Sequence, residues 1–369
     1  MKYTRMPIEK ESPEEFGYGN IACNLSESSV TDAVLQDLNI SLQDLTLLYC
    51  EHRGDRRLRE VIAAQYPGID ADDVLVTPGA AAALFMIHTS LLESGDHVIV
   101  EHPNYGTNLE TPRAIGANVD LVRLTFENRF QPDISEFQRK TTRDTKLISI
   151  TNPHNPTGTL KTQADLQTLI DLATAHETYL LVDETYRDIT EPKHHPLAAT
   201  LSDRVISVSS VSKAYGLPGI RIGWIICKNA ALMETFLAAK EQIFITNSVV
   251  DESIALQYLE KKDPYLAAIR AHTAANFAIL KDWMPRQSVL EWVEPQAAVV
   301  CFPRFKAELN IDTALFYRLL VEEYKTFVGP GHWFEMGDNY MRIGYSWPTT
   351  EAFREGLAAI ETAAKRAMG

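Results

Sequence analysis

Seven short apolar segments between residues 74 and 227 constrain the fold more than any other feature of this chain of 369 residues. Helix-forming stretches separate most of them, and this alternation is typical of an α/β domain with a mainly parallel sheet. Functional loops in such a sheet lie at the carboxyl ends of the strands. The predicted strands are 74–77, 97–100, 119–124, 146–151, 179–182, 205–209 and 221–227.

A lysine and an arginine lie between the last two of these strands. Lys213 follows a turn rich in hydroxyl groups, and a lysine in a desolvated pocket can lose its proton and form a Schiff base with an aldehyde. Ser210, Ser212 and Arg221 supply donors for a phosphate. Together they indicate pyridoxal 5'-phosphate (PLP). A solvated lysine and an ordinary ion pair are the alternative, because short motifs also match by accident.

This stretch resembles the lysine motif of the fold-type I PLP enzymes, the class I/II aminotransferases of the aspartate aminotransferase superfamily. In that family the phosphate arginine follows the lysine by eight residues, as Arg221 follows Lys213 here. The resemblance covers nearly the whole chain. It implies an α/β fold with a large PLP-binding domain on a seven-stranded mainly parallel sheet, residues 46–245. A smaller α+β domain would comprise residues 1–45 and 246–369.

Two further segments contribute to the predicted cofactor site. Strand 74–77 runs into a glycine turn and the start of a helix, which places the backbone N–H groups of Gly79, Ala80 and Ala81 at an anion. By resemblance, Tyr105 stacks on the pyridine ring, where a flat aromatic contact fixes the tilt of the cofactor. Taken alone, a tyrosine such as Tyr105 is more often a core residue, and many helices begin with such a turn.

The segment 152–158 resembles the family motif Asn-Pro-x-Asn-Pro-Thr-Gly, in which Asn155 bonds the ring oxygen of PLP. Asp183 ends an apolar strand, where a buried acid needs a partner. The pyridinium nitrogen is such a partner, and its proton makes the ring an electron sink. The resemblance gives Tyr186 a second bond to the ring oxygen. Without the resemblance, the segment 152–158 is explained as a rigid surface turn and Asp183 as a helix-capping aspartate.

Three residues are assigned by resemblance to the substrate and to the subunit interface. Tyr49 matches the tyrosine that crosses a dimer interface to the neighbouring phosphate, which implies a homodimer. Arg342 matches the arginine that grips the substrate α-carboxylate in a two-bond fork. The segment 26–29 crosses the mouth of the active site, which makes Glu27 a candidate substrate contact. Without the resemblance, Tyr49 is explained as an interface or core tyrosine and Arg342 as an arginine on a half-exposed strand. The segment 26–29 is then a polar loop that caps a helix.

The resemblance implies an aminotransferase that moves the α-amino group of an amino acid to a 2-oxo acid through a Lys213 Schiff base. Lys213, Asp183 and Tyr186 are its expected catalytic residues. The same anchors also serve elimination, cyclisation and decarboxylation, so the fold alone does not choose among these reactions.

Several segments also resemble the capreomycidine synthases, PLP enzymes that cyclise a hydroxylated arginine. The alternative is therefore a PLP-dependent cyclase or lyase of a specialised biosynthetic pathway, acting on a modified basic amino acid. Glu27, Asp251 or Glu252 would then meet the cationic side chain. Arg53 either selects an anionic group or pairs with Glu51 or Asp55, and the ion pair is favoured because exposed pairs are common.

Composition excludes other classes of protein. The net charge of −14 argues against a nucleic-acid surface, and no apolar run is long enough to span a membrane. A fused DNA-binding sensor and a cofactor-free relative are both disfavoured, the second by the intact set of PLP residues. Four cysteines without a Cys-x-x-Cys pair fit free thiols in a reducing cytoplasm. No metal site is expected.

Overall fold

A computed structural model describes residues 1–190 and 196–368. In chain order, the described strands are β1 (Cys23–Asn24), β2 (Val74–Thr77), β3 (His97–His102), β4 (Asn118–Arg123), β5 (Thr145–Thr151), β6 (Tyr179–Asp183), β7 (Val205–Ser210), β8 (Gly223–Ile226), β9 (Leu290–Glu291), β10 (Val300–Cys301), β11 (Arg304–Phe305), β12 (Thr326–Phe327), β13 (Gly329–Pro330) and β14 (Met341–Gly344).

The α-helices in the same part of the chain are α1 (Pro7–Glu11), α2 (Pro13–Phe16), α3 (Arg56–Ala63), α4 (Gly79–Leu91), α5 (Gly106–Ile115), α6 (Ile134–Lys140), α7 (Gln163–Ala175), α8 (Ala230–Ile243), α9 (Val249–Leu259), α10 (Lys262–Trp283), α11 (Thr313–Glu322) and α12 (Thr350–Arg366). None of the described helices has the length and apolar character needed to cross a bilayer.

The seven-stranded sheet confirms the predicted α/β architecture. Its strand order is β2-β8-β7-β6-β5-β3-β4, and all neighbours are parallel except β8, which is antiparallel to β2 and β7. The predicted last strand begins two residues too early. Arg221 has a left-handed backbone with φ of 48°, and pairing starts only where Gly223 meets Ser210.

Helices cover both faces of the sheet, so its central strands are nearly continuous apolar runs. On one face α4 and α8 pack over a core that includes Leu75, Ile206 and Phe236. On the other face a second core, which includes Ile148, Leu169 and Val182, lies under α7. This double cover holds the carboxyl ends of β5, β6 and β7 in fixed positions beside one another.

A separate apolar core lies in the carboxyl-terminal part of the chain. It joins α11 and α12 to the antiparallel strands β10, β14 and β13, and Leu25 from the amino-terminal part packs into it. Strand β1 pairs with β12, which brings the segment after β1 beside the same unit. These contacts place residues from both ends of the chain together, while the predicted domain boundaries stay a prediction.

The amino-terminal forty residues contain the short helices α1 and α2, each of which has proline at its first position. Proline fits there because its fixed φ suits the first turn and the missing N–H would have no partner. Below, α1 and α2 are called the N-terminal helix pair.

Candidate active site

The carboxyl ends of β5, β6 and β7 open into a cavity of about 350 Å³, a size common among small-molecule sites. The N-terminal helix pair and residues of the carboxyl-terminal unit form its remaining walls. Most of the predicted site residues line it. They are Glu27, Ala80, Ala81, Tyr105, Asn155, Asp183, Tyr186, Ser210, Ser212, Lys213, Arg221 and Arg342.

Arg221 and the first turn of α4 form an anion-binding end of this cavity. Pro78, at the cap position of α4, gives no side-chain bond to the first-turn N–H groups, which leaves them for a ligand. Gly79 does not line the cavity, but a Cβ there would collide with Arg221 Nη2. Arg221 Nη1 donates to Pro218 O at 2.8 Å and to Ser212 Oγ at 3.4 Å, which fixes the guanidinium beside the helix.

Lys213 projects into the centre of the cavity between groups of opposite charge. Burial lowers the pKa of its ammonium, and the nearby guanidinium groups of Arg342 and Arg221 act in the same direction. The carboxylates of Glu27 and Glu14 oppose this shift. The net effect is a lowered pKa, which makes it easier to form the neutral amine that can act as nucleophile or base.

Asp183 presents a carboxylate oxygen to the cavity from the end of β6. Its Oδ1 accepts from the Thr185 backbone N–H at 3.1 Å and from Thr185 Oγ1 at 2.5 Å. Its Oδ2 has no hydrogen-bond partner in residues 1–190 and 196–368. Burial raises the pKa of Asp183, and the two hydrogen bonds from Thr185 offset this shift only in part. A cationic N–H group of a ligand would supply the missing partner.

Arg342 lies on the opposite wall and is fixed by two hydrogen bonds. Nη1 donates to Asn155 Oδ1 at 3.2 Å, and Nη2 donates to Ser26 O at 2.7 Å. The guanidinium also lies over the ring of Phe334, 5.0 Å from its centroid. Its Nε is buried without a partner. Burial lowers the pKa of Arg342, and an anionic ligand would remove this cost.

The two candidates for the ring oxygen approach from neighbouring loops. The oxygen of the Asn155 amide is engaged by Arg342, which leaves its NH₂ group for a ligand. Tyr186 is buried and its hydroxyl contacts Ser28, and burial raises its pKa to about 12. Both side chains are therefore neutral donors at the cavity wall near neutral pH.

A buried ion pair behind the cavity was missed by sequence reasoning. Lys161 Nζ lies 2.7 Å from Glu101 Oε2 and donates to Thr151 O at 2.9 Å, while Glu101 accepts from the Thr151 backbone N–H. The pair therefore holds the backbone of Thr151, which lines the cavity, from both sides. Glu101 was detectable as a lone charge within the apolar strand β3, whereas Lys161 gave no signal.

The N-terminal helix pair was also missed as part of the site. Ile8, Glu9, Ser12, Pro13 and Glu14 all line the cavity. The run Ser-Pro-Glu-Glu at 12–15 is a helix-start signature and could have identified α2. Nothing local indicated that this helix would lie over the lysine.

Besides Gly79, three predicted positions lie outside the cavity. Tyr49 is 77% exposed and does not line it. Glu252 is buried elsewhere, where its Oε2 accepts from the Asp55 N–H at 2.7 Å, and Asp251 lies in the first turn of α9. The prediction that either acid meets a substrate is therefore wrong for the cavity of this chain.

The expected partners of Arg53 were also wrong. Its guanidinium pairs with Glu234 on α8 and donates to Asp72 O at 3.0 Å, rather than bonding Glu51 or Asp55. Glu51 instead pairs with Arg59 at 3.0 Å. Arg53 is thus held in an ion pair, as the sequence favoured, but through a contact between distant parts of the chain.

The donor set fits PLP. The cradle of α4, Ser210, Ser212 and Arg221 suits a phosphate, and the unpaired oxygen of Asp183 suits a protonated ring nitrogen. Tyr105 supplies an aromatic surface, and Lys213 supplies an amine for the aldehyde. In the part of the chain that the structure describes, no group of three or more His, Cys, Asp or Glu residues is arranged to hold a metal ion.

Comparison with known proteins agrees with this chemistry. The family model for aminotransferase class I and II matches residues 19–360. Capreomycidine synthase of Streptomyces vinaceus is 32% identical over 310 residues, 83% of this chain and 78% of that protein. Aspartate aminotransferase of Pyrococcus horikoshii is 27% identical over 327 residues, 85% of this chain and 82% of that protein.

Among solved structures, a PLP-dependent aminotransferase from Streptococcus suis 89-1591 superposes with a TM-score of 0.91. It is 27% identical in sequence, and the match covers 100% of this chain and 99% of that one. The whole chain therefore has the fold of that enzyme.

Proposed function

The chain belongs to the class I and II aminotransferase family and is a PLP-dependent aminotransferase of fold type I, and we propose that Lys213 is the residue that joins the cofactor and carries the proton transfers. The observation that supports this assignment is the convergence in one cavity of Lys213, the half-paired carboxylate of Asp183 and the fixed guanidinium of Arg342. These residues come from distant parts of the sequence.

The chain's own groups would hold the phosphate and the ring. Ser210, Ser212, Arg221 and the N–H groups of the first turn of α4 would bind the phosphate, with Gly79 allowing the close approach. Asp183 would keep a proton on the ring nitrogen, and Tyr105 would stack on the ring. Asn155 and Tyr186 would donate to the ring oxygen. When bound, PLP supplies an electron sink for charge that develops at the substrate Cα.

Arg342 and Lys213 would act on the substrate itself. Arg342 would bind the α-carboxylate through donors that its bonds to Asn155 and Ser26 leave free. The Lys213 amine, once released, would take the proton from Cα, because burial favours its neutral form. The N-terminal helix pair would limit the access of water to this proton.

A homodimer is part of the proposal. Tyr49, Leu48 and Leu47 are 77%, 61% and 77% exposed, which is unusual for three consecutive large apolar side chains. In a dimer Tyr49 would cross to the phosphate of the other subunit. All four cysteines are free and buried, which supports the further proposal of a reducing, cytoplasmic location.

One observation favours a second candidate reaction. The 32% identity with capreomycidine synthase extends over 83% of this chain, and the anchors described above serve both reactions equally well. In that case the amino group would stay in the product, and a modified basic amino acid would be cyclised. Arg342, Lys213 and Asp183 would keep the same positions relative to the substrate.

A single-turnover experiment separates these two reactions. The PLP-loaded enzyme is mixed with a panel of amino acids in the absence of a 2-oxo acid. Release of one 2-oxo acid per site, with conversion of PLP to pyridoxamine phosphate, supports aminotransfer. A changed product with PLP retained supports cyclisation.

The variant Lys213→Ala tests the lysine assignment in the same assay. It should lose turnover by about 10²–10⁴-fold or more while it still binds PLP non-covalently. Borohydride reduction followed by mass spectrometry of the Lys213 peptide should show the cofactor attached only in the unsubstituted protein. Full activity of Lys213→Ala, or attachment of PLP to a different lysine, would overturn the assignment.

A further inference from the structure

The charges of the cavity are divided between its floor and its mouth. The floor has the cationic side chains of Lys213, Arg221 and Arg342 and the carboxylate of Asp183, which the proposed function assigns to the cofactor and the α-carboxylate. The mouth is lined by the carboxylates of Glu9, Glu14 and Glu27. The steps proposed above give these three acids no role, although the sequence made Glu27 a candidate substrate contact.

Glu27 is held with one oxygen directed away from its anchors. Its Oε1 accepts from the Tyr18 hydroxyl at 3.1 Å and from Asn24 Nδ2 at 3.4 Å. Tyr18 in turn stacks on Trp347, with ring centroids 6.2 Å apart and planes within 18°. Glu27 Oε2 has no hydrogen-bond partner among the described residues. The side chain is thus oriented by its surroundings while half of its acceptor capacity stays available.

Glu14 is the second acid of the mouth, in the first turn of α2. Its carboxylate forms no ion pair within residues 1–190 and 196–368, and the same is true of Glu9. The neighbouring Glu15, which does not line the cavity, pairs with Arg5 at 3.5 Å. On this segment, the acid that points away from the cavity has a cationic partner, whereas the acids at the cavity do not.

An independent feature indicates where a substrate would lie. Arg342 Nε is buried without a partner in the same cavity, on a side chain that is 3% exposed. An α-carboxylate bound there, with Cα near Lys213, would leave the substrate side chain to extend past the floor. Apart from Asp183, the remaining charged groups of the cavity lining are the carboxylates of the mouth. Burial raises the pKa of Glu27; the charge of Lys213 opposes this shift and that of Glu14 adds to it.

We propose that Glu27 and Glu14 form a subsite for a cationic substrate side chain, an ammonium or a guanidinium. Such a group would bond Glu27 Oε2 and relieve the repulsion between the two carboxylates. An acidic side chain would add a third negative charge and be rejected. This inference rests on the proposed function, because it takes the positions of Cα and the α-carboxylate from it.

The test compares charged and uncharged amino acids of matched shape. For the PLP-loaded enzyme, kcat/KM is measured with L-arginine and L-citrulline, and with L-lysine and L-norleucine. The cationic member of each pair should be preferred by about tenfold or more, the range for a hydrogen bond to a charged group. Glu27→Gln should reduce this preference by a similar factor. Glu14→Gln, at an exposed position, should reduce it less, and the control Glu15→Gln should leave it unchanged.

Binding provides a readout that does not depend on turnover. Calorimetric titration of PLP-loaded Lys213→Ala with L-arginine and L-citrulline should show the same preference, and it should decrease in Lys213→Ala/Glu27→Gln. In the kinetic assay, equal losses of kcat/KM for both members of a pair in Glu27→Gln would show that Glu27 acts on Lys213 instead and would overturn the subsite. Preference for an acidic amino acid would also overturn it. A cationic preference in binding without release of a 2-oxo acid would support the subsite and refute aminotransfer.

Discussion

The floor and the mouth of the cavity are built in different ways. The floor consists of residues on or next to buried strands, and several of them are fixed by hydrogen bonds, as Asp183 is by Thr185. The mouth is formed by helices of only five and four residues, whose acidic side chains are exposed. Helices this short are marginal by themselves and depend on tertiary contacts.

This difference separates the two tasks of the site. Cofactor chemistry needs groups that stay in place during the reaction, and a doubly covered sheet provides them. Selection among substrate side chains requires only contacts at the entrance of the cavity, and these residues can change without disturbing the core. The comparison predicts that substitutions in the floor alter stability or chemistry, whereas substitutions in the mouth alter preference.

The largest expected effect is at the buried pair behind the floor. Lys161→Met would leave Glu101 charged and unpaired, since both side chains are almost fully buried. Removal of one member of a buried pair costs about 3–5 kcal/mol. We expect a decrease of that size in the free energy of unfolding, measured by urea denaturation monitored by circular dichroism.

Two further variants control for this effect. The double variant Glu101→Gln/Lys161→Met should recover most of the loss, because the charge is gone and an amide oxygen still accepts from the Thr151 N–H. Lys281→Met removes an exposed pair with Glu294 and should cost less than about 1 kcal/mol. If Lys161→Met is no more destabilising than Lys281→Met, the floor is not held by this pair.

A smaller effect is expected when the fork of Arg342 is removed. Arg342→Lys keeps the charge but loses the planar arrangement of donors that bonds Asn155, Ser26 and a carboxylate. Loss of one charge-assisted bond is worth about 1.5–3 kcal/mol, which corresponds to a decrease in kcat/KM of roughly 10- to 100-fold. This decrease should come mainly from a higher KM for the amino acid, and the affinity for PLP should be unchanged.

Arg221→Lys sharpens this assignment. It should weaken retention of PLP on dialysis, because the guanidinium lies beside the first turn of α4, where we propose that the phosphate binds. The absorbance of bound PLP and KM for the amino acid, measured in both variants, separate the two roles. Loss of PLP from Arg342→Lys, or an unchanged PLP affinity in Arg221→Lys, would contradict the division of the floor into two anion sites.

The smallest expected effect concerns how the mouth is attached. Glu11, the last residue of α1, accepts from Trp333 Nε1 at 2.9 Å and bonds His332 Nε2 at 2.6 Å, and His332 Nδ1 lies 2.7 Å from Asp338. Burial opposes the charge on His332, but its bonds to the two acids prevail and raise its pKa. The attachment is therefore fully present below the usual histidine pKa and is lost as pH rises through the raised value.

Hydrogen exchange of the backbone amides of α1 measures this attachment. Protection should decrease as pH rises through the folded-state pKa of His332, by a few-fold after correction for the intrinsic rate, because the pair is partly exposed. Glu11→Gln should lower protection at acidic pH and weaken the pH dependence. If the hydrogen-exchange protection of α1 relative to the strands of the floor does not change with pH, His332 does not attach α1.

Most residues that line the cavity floor were predictable because they belong to short local motifs next to strands. Asn155, Asp183 and Lys213 needed only the order of strands and the identity of nearby residues. The wrong expectations concern contacts between distant segments. Glu252 was a candidate for contact with the substrate side chain, but its carboxylate accepts a hydrogen bond from the Asp55 N–H. Arg53 pairs with Glu234 rather than with its neighbours in sequence.

The sequence by itself determined the sheet, the family and the residues of the floor, because apolar periodicity and motif spacing are local properties of the chain. Tertiary structure alone decided that α1 and α2 lie over Lys213 and that Lys161 meets Glu101 behind Thr151. It also decided that Glu14 and Glu27 share one entrance. Burial and pairing of charges depend on which distant segments pack together, and no local pattern contains that information.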